Sequence, residues 1–177
     1  SIKNLLAKKK QLFTKILFED FKINVDSKNL GKYKSLFNKK NNSIPIIFTG
    51  GQIVFLDKED TNKNIATIYK AKLNLKFKKN SDRAVLKGKF LNDDIYIKLE
   101  NKKSDNKPST SIILKMSNFN LITKVNLFNF NNKINGDILI KKDKHRLTSL
   151  FDYENNEIFI KKSNIRNMFL DGKLKGK

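Results

Sequence analysis

His145, between Lys144 and Arg146, is the only histidine in the chain, so a general base or an imidazole metal site would have to start there. A metal site needs several His, Cys or carboxylate ligands at close spacing, and a serine triad needs a nucleophile on a Gly-x-Ser-x-Gly elbow. Neither accompanies His145, which reads as a solvent-facing strand residue. The absence of Cys removes thiol catalysis, disulfides and thiolate ligation. Two carboxylate groups remain, Asp57 with Glu59 and Asp60, and Asp93 with Asp94. Such clusters can act as acid and base or hold a cation. Each ends an alternating apolar segment, where Asp is a turn former. Gly50 and Gly51, in IPIIFTGGQIVFLD (44–57), lack the Lys-Ser/Thr that opens the helix of a phosphate loop; Gln52 and a strand-like IVFL follow instead. They read as a turn or bend feeding a strand. No catalytic residue, metal site or cofactor is expected.

The loudest feature is a formal charge of +21, from 38 Lys and Arg against 17 Asp and Glu. Such a balance suggests nucleic acid, an anionic membrane or acidic substrates. Yet only Arg83, Arg146 and Arg166 are arginines, and arginine is the residue of bidentate phosphate and guanine contacts. Lys, Asn and Ile are the residues of A/T-rich codons, and a low-GC genome would inflate Lys and Asn without any binding function. Stacking single-stranded nucleic acid needs aromatics and lysines on one surface. Here the aromatics fall mostly opposite the lysines, which disfavours nucleic acid as a partner. No apolar run approaches the ~20 residues that span a bilayer as a helix. The chain begins at Ser1 and is expected to be a segment of a longer protein, with any anchor outside it.

Residues 2–17 place Ile2, Leu5, Leu6, Leu12, Phe13, Ile16 and Leu17 on a helical stripe, which predicts an N-terminal amphipathic helix packed on its own domain. Phe21, Ile23 and Val25 alternate as a strand. Ser27 then suits the N-cap of a short helix near 28–37. From residue 46 the period becomes two. In IATIYKAKLNLKFK (65–78), Ala71, Leu73, Leu75 and Phe77 point one way and Lys70, Lys72, Lys76 and Lys78 the other. Asn- and Asp-rich joints then separate hairpin arms as far as Ile160. FLNDDIYIK (90–98) and FDYENNEIFIK (151–161) share an aromatic strand end, a turn and I-[YF]-I-K. The prediction is a mainly β chain. An entry segment of strand and helices covers 1–43, and an antiparallel meander covers 44–177.

The order of these pieces resembles the AsmA-like family of bacterial envelope proteins. NVDSKNLGKYKSLF (24–37) is similar to its strand running into a short helix, and GGQIVFLDKED (50–60) to its Gly-then-strand segment. IYKAKLNLKF (68–77), VLKGKF (85–90), INGDILI (134–140) and IKKSNIRNMFLDGKLKGK (160–177) are similar to its recurrent strands. The resemblance implies a long curved sheet with an apolar groove that holds phospholipid acyl chains. It further implies a periplasmic protein of outer-membrane biogenesis, anchored in the inner membrane and working with envelope protein partners. Members usually carry an N-terminal membrane helix and are much longer than this chain. The residues expected to line such a groove are Ile53 and Phe55; Leu73, Leu75 and Phe77; Leu86; Ile95, Ile97 and Leu99; Leu114; Leu121 and Val125; Ile138 and Ile140; and Ile158 and Ile160. One-sided strands are equally compatible with a structural or assembly β-domain whose core is filled by its own side chains.

Overall fold

The computed structural model describes residues 14–26, 44–57, 63–103, 108–130, 133–155, 157–166 and 171–172. Among these residues the regular elements are all β-strands: β1 (Ile16–Glu19), β2 (Lys22–Asp26), β3 (Ile46–Asp57), β4 (Lys63–Phe77), β5 (Ser81–Phe90), β6 (Asp93–Lys102), β7 (Ser109–Met116), β8 (Leu121–Phe130), β9 (Lys133–Lys142), β10 (His145–Glu154), β11 (Glu157–Arg166) and β12 (Asp171–Gly172). They form one open sheet in the order β1-β3-β4 and onward to β12, with β2 also paired to β3. From β3 to β12 every strand lies antiparallel to its chain neighbour. β1 and β2 run parallel to β3, one along its first half and one along its second, so the sheet is mixed at this edge.

The hairpin joints have the backbone that a right-handed sheet twist requires. Leu91 and Asn92 both take positive φ, 50° and 63°, in a two-residue turn between β5 and β6. Asn120, Asp143 and Asn155 occupy the same left-handed region, which Asn and Asp tolerate better than other non-glycine residues.

Gly50 and Gly51, expected as a turn or bend feeding a strand, lie within the continuous strand β3, where they sit at a bulge. The register there slips between Phe48 and Gly51 and again between Gly51 and Ile53. Gly50 takes φ +76°, and Lys70 takes φ +47° in the adjoining β4. The bulges offset one another: Phe48 faces Leu73, Ile53 faces Ile68, and five residues separate each pair along its own strand. Phe21 lies across Gly51, where an added Cβ would fall on the Phe21 carbonyl oxygen and ring.

The helix predicted over 2–17 ends differently from expectation. Ile16 and Leu17 are in strand β1, in register with Ile46 and Ile47; the remainder of that stripe, up to residue 13, lies outside the described residues. So does the short helix expected near 28–37. The predicted boundary between residues 43 and 44 falls at the edge of the same undescribed stretch. β1 and β2, which precede it, join the meander's own sheet through β3. The buried apolar side chains Ile53, Ile68, Ala71, Leu86, Ile95 and Met116 form one cluster across β3 to β7.

Gly51→Ala is expected to destabilise the fold by about 1–3 kcal/mol, because the clash is with backbone as well as ring. Urea unfolding followed by far-UV circular dichroism measures this; an unchanged midpoint would contradict the close approach of Phe21.

Candidate functional site

Residues directly opposite one another on neighbouring strands share a face of the sheet, so the registers sort the side chains into two surfaces. On one face a cross-strand row runs Phe18, Phe48, Leu73, Leu86, Ile97, Leu114, Thr123, Ile140, Leu147, Ile165. Thr123 is its one polar member. The next row runs Ile16, Ile46, Leu75, Ala84, Leu99, Ile112, Val125, Ile138 and ends on Ser149 and Ser163. Each row crosses ten strands. At about 4.8 Å per strand, that is an apolar band roughly 43 Å long.

All sixteen residues expected to line an apolar floor fall on this face. Leu73, Leu86, Ile97, Leu114 and Ile140 are in the first row, and Leu75, Leu99, Val125 and Ile138 in the second. Ile53 faces Ile68, Phe55 faces Ala66, and Ile95 faces Met116, which in turn faces Leu121. At the other strand ends Phe77 faces Asp82, Ile160 faces Phe151 and Ile158 faces Tyr153. The face is not uniform. Ile53, Ile68 and Leu86 are buried, whereas Ile158 is 57% exposed. A polar patch of Asp82, Asn101 and Thr110 interrupts the band near one edge, and Lys103 Nζ lies 2.7 Å from the Asp82 carboxylate.

Sequence reasoning missed several members of this face. Phe18 stacks on Phe48 with ring centroids 4.8 Å apart, and Phe21 meets Phe48 edge-on at 5.3 Å. Ile16 fits the helical stripe of residues 2–17, whereas alternation continued through Phe18 places both on this face. Ile68 sits at an odd spacing from Leu73, so strict alternation places it on the wrong side; only the bulge at Lys70 restores it.

The opposite face is charged and mixed. One of its rows runs Lys72, Lys87, Tyr96, Lys115, Ile122, Lys141, Arg146, Arg166. Lys87 and Lys115 each lie 6.0 Å from the Tyr96 ring centroid, a cation on either side of one aromatic. A concavity of about 390 Å³ on this face is lined by Lys72, Asn74, Lys76, Arg83, Val85, Lys87 and Tyr96. Further along, Lys98 pairs with Glu100 at 2.6 Å, a bond that holds the Glu100 carboxyl below its usual range. Asp152 is buried and gathers Lys161 at 2.7 Å, Lys133 at 3.2 Å and the Asn135 amide. The Lys161 hydrogen bond is the largest influence on Asp152 and, with Asn135 and Lys133, outweighs burial to bring its pKa down to about 2. Lys133 is raised in turn, first by Asp152 and then by Glu154.

The carboxylates singled out in the sequence do not meet as a pair. Asp57 ends β3, and Glu59 and Asp60 lie outside the described residues. Asp93 and Asp94 are not turn formers of their own hairpin; both are in β6, on opposite faces. Asp93 is buried and accepts hydrogen bonds from the backbone N–H groups of Asn118 (2.8 Å) and Phe119 (3.1 Å). Burial pushes its pKa up, but these backbone donors, together with those of Asp94 and Ser117, pull it below the ordinary value. His145 opens β10, exposed. Among the described residues no three His, Cys, Asp or Glu side chains converge as metal ligands. The residues that do converge are apolar, so the arrangement can hold hydrocarbon or pack against it.

Comparison of the chain with protein-family models, with curated proteins and with solved structures returned no match.

The Asp152 cluster predicts a pH dependence. Its folded pKa is depressed from 3.8 to about 2, so its stabilisation is full above pH ~4 and is lost as pH falls from about 4 to 2. Asp152→Asn is expected to be less stable than the parent at pH 6 and to lose less stability between pH 4 and pH 2. Urea midpoints measured across that range test this; equal slopes for parent and variant would refute it.

Proposed function

We propose that this chain is a segment of an AsmA-like periplasmic protein that holds phospholipid acyl chains along an apolar β-groove and carries them between membranes in outer-membrane biogenesis. The observation that carries this reading is the pair of rows crossing ten strands with scarcely a polar interruption. Hydrocarbon gains about 0.8 kcal/mol for each methylene moved out of water, and an extended chain lying along such rows would contact apolar side chains along most of its length. On this reading the sheet curves lengthwise around its apolar face. The inner-membrane anchor and the envelope partners belong to the full-length protein beyond this segment.

The buried cluster around Ile68 and Ala71 supports a second reading, a structural β-domain whose own side chains fill the space. The two readings differ in what purifies with the protein. Native mass spectrometry of the full-length protein is expected to show bound phospholipid. Leu114→Glu, which puts a charge midway along the apolar row, is expected to reduce that phospholipid about tenfold or more, because an unpaired carboxylate cannot be desolvated beside hydrocarbon. Parent protein free of phospholipid would refute the lipid reading and leave the filled core.

A further inference from the structure

Three hairpin turns emerge at the same end of the strands: 91–92 between β5 and β6, 117–120 between β7 and β8, and 143–144 between β9 and β10. They are tied together. Asp93, at the start of β6, accepts the Asn118 and Phe119 N–H groups of the second turn. Asn120 Nδ2 donates to Asp143 Oδ1 of the third at 3.0 Å. The result is a stitched rim from which two large apolar side chains project, Leu91 at 69% exposure and Phe119 at 45%.

Around these tips cations outnumber carboxylates, Lys89, Lys115, Lys141, Lys142, Lys144 and Arg146 against Asp93, Asp94 and Asp143. Lys115, Lys141, Lys142, Lys144 and Arg146 are exposed at or beside the turns, and none is paired with a carboxylate among the described residues. The rim's own carboxylates are engaged. Asp93 holds backbone N–H groups, Asp94 pairs with Lys89 at 3.3 Å, and Asp143 accepts from Asn120. Lys141 faces Arg146 directly, as Lys72 faces Lys87 further along the same row. Like charges opposite one another weaken a sheet, and an anionic partner would relieve that repulsion.

We propose that this rim docks on an anionic lipid bilayer, with the lysines and Arg146 over the headgroups and Leu91 and Phe119 seated at the acyl boundary. Exposed apolar tips within a ring of cations are the combination that binds such interfaces. Nucleic acid fits less well. Leu91 cannot stack on a base, Tyr96 is already enclosed by Lys87 and Lys115, and lysines outnumber arginine on the rim. The inference rests on the rim alone and holds whatever occupies the apolar face.

The chain contains no Trp, so Phe119→Trp places a single reporter at the tip. Its emission is expected to shift to the blue on titration with phosphatidylcholine vesicles containing 30% phosphatidylglycerol, to stay unshifted with pure phosphatidylcholine, and to recover on adding salt. Neutralising three cations (K115Q/K141Q/R146Q) is expected to weaken partitioning about a hundredfold, at roughly fivefold per cation. Leu91→Ser, read by vesicle flotation, is expected to weaken binding while leaving its salt dependence. No blue shift with anionic vesicles at low salt would overturn the proposal. So would equal binding to neutral vesicles, or an unchanged triple variant with a native circular dichroism spectrum. Binding to single-stranded DNA without binding to anionic vesicles would overturn it in favour of a nucleic-acid surface.

Discussion

The structure depends on keeping parity across hairpins. In a sheet, a slip of one residue moves a strand's whole apolar set to the other face. Here ten strands keep two mainly apolar rows in line on one face, and where β3 and β4 each carry an extra residue, the two bulges cancel. Gly50 accommodates one and Lys70 the other. Without that cancellation Phe48 and Ile53 would lie on opposite faces, and the apolar rows would break at the edge where β1 and β2 join. The close passage of Phe21 over Gly51 belongs to the same region, where lack of a side chain lets β2 approach its neighbour.

The two faces are stabilised by different means. The apolar face has a cluster of buried side chains at β3 to β7, while toward β11 its residues become exposed. The charged face relies on local compensation: Lys98 with Glu100, Lys133 and Lys161 around Asp152, and Tyr96 between two lysines. Exposed ion pairs contribute little individually. The buried Asp152, with three partners, is the polar centre on which this face is organised between β9 and β11.

Much of the fold was legible in the residues, because period-two alternation over ten-residue segments has no helical equivalent. The sixteen apolar positions expected to line the groove alternate within their strands and share one face. Ile68 escapes alternation because Lys70 changes parity without a glycine or proline to announce it. At Gly50 and Gly51 the sequence does not separate a turn that feeds a strand from a bulge within one, because both draw on the same residue type. Ile16 and Leu17 fitted a helical stripe with the residues before them; pairing with Ile46 and Ile47, a contact across thirty positions, decides otherwise. Asp93 lies beside its own turn in the sequence, but its carboxylate fixes the next one, at Asn118 and Phe119. Such a tie depends on which hairpins become neighbours and leaves no local pattern.

The plain meander from β3 to β12 makes the sheet a ruler. Each strand pairs only with the strands before and after it in the chain, so length is set one hairpin at a time. Inserting or deleting one two-strand unit would change the span by about 10 Å, keep both rows in line and leave the cross-section as it was. A gene encoding such a sheet can adjust reach by duplication or loss of short segments, with no need to redesign a core.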